Sequence, residues 1–188
     1  NLERTSGHSA YLSKMNASEV DKIYLNNGEK IPKLRDVFNN FAPHIFLNLE
    51  IKEKNTDNIN EIIDLILNYS QNTFVKEVVI SSFNPDIIIE QSKKNKELKF
   101  AFIWGEENKN IDPAEVIDNS HNSYLHPQVD LVTHELIDNL DHCKNCIIMP
   151  WSPLNKKEDP TLWTHLQHLG IVRFCSNQAE ELIKWLEQ

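Results

Sequence analysis

Short apolar runs alternate with longer amphipathic runs along most of the chain, and this alternation restricts the possible folds more than any other feature. Residues 45–51 are strand-like, and residues 55–69 carry isoleucine and leucine at the spacing of one helix face. The pattern predicts further strands at residues 78–82, 98–104, 123–125, 146–151 and 171–175. It predicts further helices at 85–91, with Asn84 as N-cap, and at 130–141, 160–169 and 178–186. Such alternation is typical of parallel strands joined by right-handed crossovers.

Two α/β architectures fit this pattern, an open doubly wound sheet and a (β/α)₈ barrel. The chain has only four glycines and contains neither G-x-G-x-x-G nor G-x-x-x-x-G-K-[ST]. A glycine loop that cradles phosphate is therefore absent, which disfavours the nucleotide-binding doubly wound sheet. Without a low-complexity linker, residues 1–188 are predicted to form a single domain.

Composition excludes several classes of function. The formal net charge of −9 argues against a nucleic-acid partner, because binding a phosphate backbone needs a basic face. No apolar run is long enough to predict a transmembrane segment, and the first residues do not resemble a signal peptide. With three cysteines the chain lacks a disulfide framework, so we expect a cytoplasmic protein with reduced thiols.

Cys143 and Cys146 form a C-x-x-C with His142 beside it. This arrangement is compatible with a zinc or redox site, or with two unrelated thiols between a helix and a strand. The second cysteine pair that makes a zinc signal specific is missing, which favours unrelated thiols.

Candidate site residues come from the carboxyl ends of the predicted strands, where parallel barrels bind their substrates. Asn48, Glu50 and Lys52 share one face of a strand because they are two residues apart. A glutamate in that position suits a hard divalent cation, and a lysine suits a phosphoryl oxygen. The alternative is a salt bridge between Glu50 and Lys52 at the rim. Among the histidines, only His126 is a candidate near this face, and the alternative is that it is a loop residue. The others lie in loops or on or near outer helices.

Several segments, in the right order, resemble the glycerophosphodiester phosphodiesterase family. Residues 47–52 (LNLEIK) are similar to the family's N-[IL]-E-[IL]-K strand, and residues 1–7 (NLERTSG) to its L-x-R-T-[TS]-x-G segment. The remaining matches are residues 31–37 (IPKLRDV) with I-P-T-L-E-E-V, 80–84 (ISSFN) with S-F-[ND], 151–155 (WSPLN) with W-T-x-N, and Gly170-Ile171 with G-[VI]-D.

The resemblance implies a (β/α)₈ barrel that hydrolyses a small-molecule glycerophosphodiester to glycerol 3-phosphate and an alcohol, in lipid and glycerol metabolism. It also implies a divalent metal, Mg²⁺ or Ca²⁺, held by three carboxylates, with two histidines in catalysis. By position, Glu50 matches the third metal carboxylate and Lys52 the lysine that faces the phosphate. Trp151 would form an aromatic wall near the glycerol side, or else pack at the rim. Phe83 would contact the substrate, or else belong to the core. Head-group preference and oligomeric state stay open.

The chain also departs from the family pattern. The family's histidine-arginine-glycine, glutamate-x-aspartate and histidine-aspartate motifs do not occur where they would be needed, so the family histidines are expected upstream of Asn1. Phe174-Cys175-Ser176 stands in place of a threonine-aspartate. Six β/α units of eight leave two unpaired strand edges, and we expect the functional polypeptide to contain more than 188 residues. The alternative is a non-catalytic domain that binds a phosphate-alcohol or serves as a scaffold.

Overall fold

A sheet of four parallel strands, in the order β1-β2-β3-β4, forms the centre of the protein. The computed structural model describes residues 2–52, 58–72, 75, 77–121, 123–140 and 146–188. The strands are β1 Phe46–Glu50, β2 Glu77–Ser82, β3 Lys99–Trp104 and β4 Ser123–Pro127. Each strand lies beside its predecessor in the chain. That is the order of a (β/α)₈ barrel, and it lacks the reversal that marks a doubly wound sheet.

The predicted strands at residues 146–151 and 171–175 continue this succession as isolated parallel bridges. The bridges join Leu125 to Ile148, Gln128 to Trp151, and Trp151 to Cys175. All six predicted strand segments are therefore neighbours in chain order, although the last two are less regular than β1 to β4.

Helices follow the strands as the pattern predicted. Those after the sheet begins are α4 Ile59–Asn72, α5 Pro85–Lys94, α6 Pro113–Asp118, α7 His134–Leu140, α8 Pro160–His168 and α9 Ala179–Leu186. Before the sheet lie α1 Glu3–Ser6, α2 Ala17–Val20 and α3 Leu34–Phe41, and 3₁₀ turns occur at Leu12–Lys14 and Val129–Leu131. The predicted helix at 130–141 is shorter than expected because its first residues form the second 3₁₀ turn. Residues 55–57 and 141, at the ends of two predicted helices, lie outside the described residues.

Three helices begin with the same local signal, an Asn or Asp followed by proline. The side-chain oxygen of Asn84 accepts from the Asp86 N–H at 3.0 Å, and that of Asp112 accepts from the Ala114 N–H at 2.9 Å. Asp159 caps α8 in the same way. The predicted cap at Asn84 is confirmed. Helix α6 is absent from the sequence prediction, although Asp112 and the proline after it carry the same N-terminal signal.

The two faces of the sheet pack against different partners. Ile80, Phe100, Phe102 and Leu125 are fully buried in the cluster between the strands and the helices. The alternate residues Val79, Ala101 and Tyr124 form a second cluster with Phe46 and Ile147 on the opposite side, here called the interior face. Leu47 and Ile51 belong to the helix side. Because strand residues alternate, Asn48 and Glu50 lie on the interior face.

Glu77 joins three other elements at the amino-terminal end of the interior face. Its carboxylate accepts from Lys99 Nζ and from the Tyr124 hydroxyl, each at 2.9 Å, and lies 3.5 Å from Arg173 Nη1. Burial works to raise the pKa of Glu77, but these hydrogen bonds and the two cations outweigh it, and the pKa falls below its ordinary value. This end of a barrel serves stability rather than chemistry.

We expect Glu77→Gln to lower the free energy of unfolding by about 1–3 kcal/mol, because the charge-assisted bonds weaken while Arg173 and Lys99 stay in place. Urea unfolding measures the loss. Glu90→Gln is a matched control, since it breaks only the exposed Glu90–Lys94 pair and should cost at most about 0.5 kcal/mol. Equal losses in the two variants would contradict a structural role for the Glu77 cluster.

Candidate active site

A cleft of about 540 Å³ opens at the carboxyl ends of β1 and β2. Three of the four predicted site residues, Glu50, Lys52 and Phe83, line this cleft. Its wall is completed by Ile51, Ser82, Asn84, Pro85 and Glu107. This is the end of the sheet where a parallel barrel places its chemistry.

Glu50 and Lys52 form an ion pair, with Lys52 Nζ 3.3 Å from Glu50 Oε2. The Lys52 side chain is 79% exposed and that of Glu50 30%, so the pair contributes little to stability. The salt bridge of the alternative interpretation is therefore present, and because it faces the cleft the metal and phosphoryl roles of the two residues stay predictions. A weakly held lysine at the rim remains free to contact a ligand.

Hydrogen bonds through Ser82 fix the end of β1 to the loop after β2. The Ser82 hydroxyl donates to Ile51 O at 3.1 Å and accepts from the Asn84 N–H at 3.2 Å. The Ile51 N–H in turn donates to Ser81 O at 2.7 Å. This network holds Phe83 beside the Glu50–Lys52 pair.

Trp151, the fourth predicted site residue, reaches the same region from residues 146–151, the third strand segment after β2. Its ring meets Phe83 edge to face, with centroids 5.9 Å apart and an interplanar angle of 81°. The indole also packs on Gly105, where a Cβ atom would lie 2.9 Å from Trp151 Cζ2. Glycine is needed there because the indole lies so close to its Cα atom. Its backbone φ is not in the left-handed region. The structure thus places three of the four predicted residues on the cleft and the fourth, Trp151, against Phe83.

Gly105→Ala should displace the indole and destabilise the protein by about 1–3 kcal/mol, the usual cost of overpacking. Urea unfolding followed by tryptophan fluorescence measures both effects. In a Trp151→Leu background the closest contact is gone and only that with Gln128 Oε1, at 3.2 Å, remains, so the same substitution should cost less. An equal cost in both backgrounds would show that the indole does not set the requirement for glycine.

Asn108 positions the loops after β2 and β3, and sequence reasoning did not find it. Its side chain is buried and fully engaged. Nδ2 donates to Phe83 O at 3.2 Å and to Ile103 O at 3.0 Å, and Oδ1 accepts from the Gly105 N–H at 2.8 Å. The residue that holds Phe83 and Gly105 is therefore itself outside the cleft.

Glu158 has a similar positioning role at the end of the predicted strand at residues 171–175. Its carboxylate is buried and accepts from the Ser176 hydroxyl and from the Asn177 N–H at 2.8 Å. Asn177 Nδ2 then donates to Ser152 O at 2.9 Å. The unusual Cys175-Ser176 strand end is thus held by a carboxylate that no motif indicated. Burial raises the pKa of the Cys175 thiol, and the charges of Glu158 and Glu50 raise it further. The thiol is therefore protonated at neutral pH, although the residue is partly exposed.

His126 lies on β4, not in a loop, and is only 3% exposed. It is two residues beyond Tyr124 and therefore shares the interior face. Burial lowers its pKa to about 4, so the imidazole is neutral at physiological pH.

The sequence and fold match one family throughout. The model of the glycerophosphoryl diester phosphodiesterase family matches residues 1–181. The chain belongs to this family. No protein of curated function matches it in sequence.

Solved structures support the (β/α)₈ fold of this phosphodiesterase family member. A protein from Galdieria sulphuraria assigned as a glycerophosphodiester phosphodiesterase superposes with a TM-score of 0.79 at 18% identity, covering 100% of this chain and 78% of that one. A glycerophosphodiester phosphodiesterase from Parabacteroides distasonis gives 0.74 at 21%, covering 94% and 72%. A second protein of that organism gives 0.68 at 18%, covering 100% and 68%. At these identities the likeness concerns the fold.

For the metal expected in this family, the sequence predicts one ligand among these residues, Glu50. Glu50 presents a carboxylate to the cleft, but no group of three or more His, Cys, Asp or Glu side chains is arranged to hold a metal in the part of the chain that the structure describes. The described residues therefore do not form a complete metal site.

The C-x-x-C receives no support as a second metal centre. Cys143 and His142 lie outside the described residues. Cys146 is a free thiol whose pKa is raised to about 11 by burial, which disfavours the thiolate that binds zinc.

None of the helices in the described ranges combines the length and apolar composition needed to cross a membrane.

Proposed function

We propose that the protein hydrolyses a glycerophosphodiester to glycerol 3-phosphate and an alcohol, with the help of a divalent cation. The observation that carries this proposal is the Glu50–Lys52 pair facing the cleft at the carboxyl end of β1. Family membership supplies the class of substrate. A bound cation would locally offset the negative charge of the chain and so allow an anionic ligand to bind.

Each predicted residue has a distinct part in this proposal. Glu50 would supply one carboxylate to Mg²⁺ or Ca²⁺, both of which take oxygen ligands. The cation would neutralise phosphoryl charge when bound. Lys52, exposed beside Glu50, would contact a phosphoryl oxygen as a point charge. Phe83 and Trp151 would form the aromatic wall against the organic part of the substrate.

The catalytic histidines and the other metal carboxylates are proposed to come from further residues of the same domain. The support is the metal site, for which only Glu50 is available among the described residues. The intact mass of the protein isolated from its source tests this proposal. A mass several kilodaltons above 21.9 kDa is expected, and a mass equal to that of residues 1–188 would contradict it.

Hydrolysis of glycerophosphocholine tests the proposed function directly. We expect release of glycerol 3-phosphate that a chelator abolishes and that added Mg²⁺ or Ca²⁺ restores. Absence of release at any metal concentration, in protein that unfolds cooperatively, would overturn the proposal. Parallel assays with ethanolamine and inositol diesters would identify the preferred head group.

A non-catalytic domain that binds a phosphate-alcohol is the second candidate. It is favoured by Cys175, which is a protonated thiol where the family has a threonine-aspartate. In that case sn-glycerol 3-phosphate would bind to the protein but no diester would be cleaved.

The free thiols of Cys146 and Cys175 support a reducing compartment, and we propose the cytoplasm, which cell fractionation tests.

A further inference from the structure

Glu107 brings a second carboxylate to the cleft, and the proposed reaction does not use it. The residue follows β3 in the chain and lines the cleft together with Glu50 and Lys52. Glu50 is paired with Lys52, and the adjacent Glu106 is paired with Lys109. Within the described ranges, no ion pair or hydrogen bond engages the side chain of Glu107. Its charge is therefore available to a ligand.

The loop that carries Glu107 is fixed beside Phe83. Asn108, the next residue, donates through Nδ2 to Phe83 O at 3.2 Å, and its Oδ1 accepts from the Gly105 N–H at 2.8 Å. The Asn108 side chain is buried, whereas Glu107 is exposed. The backbone at Glu107 is thus anchored from the protein side, and its carboxylate lines the same cleft as the ring of Phe83.

A phosphodiester alone does not explain a carboxylate in this position. The phosphate is proposed to lie at Lys52 and at a cation held by Glu50, so a further negative charge beside it is unfavourable unless it meets a positive one. A metal ion is a poor match, because no third His, Cys, Asp or Glu of the described chain is arranged to complete a metal site with Glu50 and Glu107. The positive charge that remains is one carried by the alcohol part of the diester.

An ammonium group matches both kinds of side chain on this side of the cleft. A carboxylate attracts it directly, and the face of an aromatic ring attracts it through the ring quadrupole, as in the recognition of quaternary ammonium ligands. Lys52, Phe83 and Glu107 line one cleft of about 540 Å³, so a single small diester can contact Lys52 with its phosphate and Glu107 with its ammonium group. An uncharged alcohol of the same shape would leave Glu107 without a partner.

We infer that Glu107 makes the protein selective for diesters whose alcohol carries an ammonium group, with Phe83 in contact with the same cation. This inference rests on the proposed function. Glu107 determines specificity in this scheme and takes no part in metal binding or in bond cleavage. Glycerophosphocholine is therefore a better substrate than a diester of the same size with an uncharged alcohol.

Two diesters that differ in one atom of the alcohol test the inference. Glycerophosphocholine is compared with the diester of 3,3-dimethylbutanol, in which a carbon atom replaces the nitrogen and the positive charge is lost. The ratio of their kcat/KM values is measured with the full-length protein and the same divalent metal. We expect the wild type to favour the choline diester about tenfold, the combined effect of one exposed ion pair and one cation–π contact.

Glu107→Gln keeps the size of the side chain and removes its charge. It should reduce the preference to about twofold without slowing hydrolysis of the 3,3-dimethylbutanol diester. Glu106→Gln is the matched control, because it neutralises the adjacent carboxylate, which is not among the residues that line the cleft, and should leave the preference unchanged. Slower hydrolysis of both diesters by Glu107→Gln, with a higher metal requirement, would make Glu107 a metal ligand and overturn the inference.

Ionic strength gives a second measurement, on the wild type alone. Salt screens exposed charges, so raising its concentration from about 0.05 M to about 0.5 M should lower the preference for the choline diester. If the wild type hydrolyses both diesters equally well at low salt, the inference is wrong while the proposed function stands. If it hydrolyses neither diester, the proposed function and the inference fail together.

Discussion

Glu50→Gln is expected to lower kcat/KM for glycerophosphocholine by at least about 100-fold and to raise the metal concentration needed for half-maximal activity. The substitution keeps the size of the side chain and removes its charge. Changes in the surroundings of a metal typically cost 10–100-fold in affinity or activity, and loss of a ligand should cost at least the upper value. Steady-state kinetics over a range of Mg²⁺ and Ca²⁺ concentrations, with titration calorimetry of the metal alone, measures both effects.

Stability separates this functional effect from a structural one. The Glu50–Lys52 pair is largely exposed, so Glu50→Gln should change the free energy of unfolding by less than about 1 kcal/mol. Glu106→Gln provides the control on the next loop, since it breaks the exposed Glu106–Lys109 pair and Glu106 does not line the cleft. A Glu50→Gln protein with unchanged metal affinity and activity would exclude Glu50 as a metal ligand.

The strand and helix pattern could be predicted from the sequence because local periodicity determines it. Residues 45–51 and 78–82 alternate or run apolar in the way that a sheet covered by helices requires, and β1 and β2 lie there. Helix α6 was missed because it has only six residues, too few for a periodic signal. Its cap, Asp112 followed by proline, was the available clue. The last two strand segments form only bridges, a detail that depends on neighbouring strands rather than on local sequence.

Residues at the site also divide into those that local sequence indicates and those that depend on distant partners. Glu50, Lys52, Phe83 and Trp151 could be predicted as candidates because short motifs place them at strand ends. The structure places the first three on one cleft and Trp151 against Phe83. Asn108 and Glu158 were not found. Their partners are up to 25 residues away along the chain, and no local pattern predicts which loops an isolated polar side chain will join.

His126 shows how burial changes the meaning of a residue. Before proline and after a short apolar run, a histidine resembles a loop residue, and only the pairing with Ile103 shows that it belongs to β4. That placement removes the imidazole from water and leaves Nε2 unpaired. Its acid–base behaviour is consequently a property of the fold.

The protein should lose about 3 kcal/mol of stability through His126 as pH falls from about 6.5 to about 4. Burial lowers the pKa of this residue from 6.5 to about 4. In that interval the unfolded chain binds a proton at His126 and the folded protein does not, so protonation favours unfolding and the free energy of unfolding falls with pH. At 1.36 kcal/mol per pH unit, the full interval gives the stated value.

Urea unfolding at a series of pH values measures this loss, and the upper part of the interval is the most informative. The hydrogen bond from Lys156 lowers the pKa of Asp130 below 3.8, and that of Glu77 lies below 4.5, so these carboxylates contribute their own losses only at lower pH. Between pH 4.5 and 6.5 the slope therefore reports on histidine. His126→Phe should flatten it, whereas His165→Gln, which changes an exposed histidine on α8, should not. A slope that persists unchanged in His126→Phe would mean that folding does not lower the pKa of this imidazole.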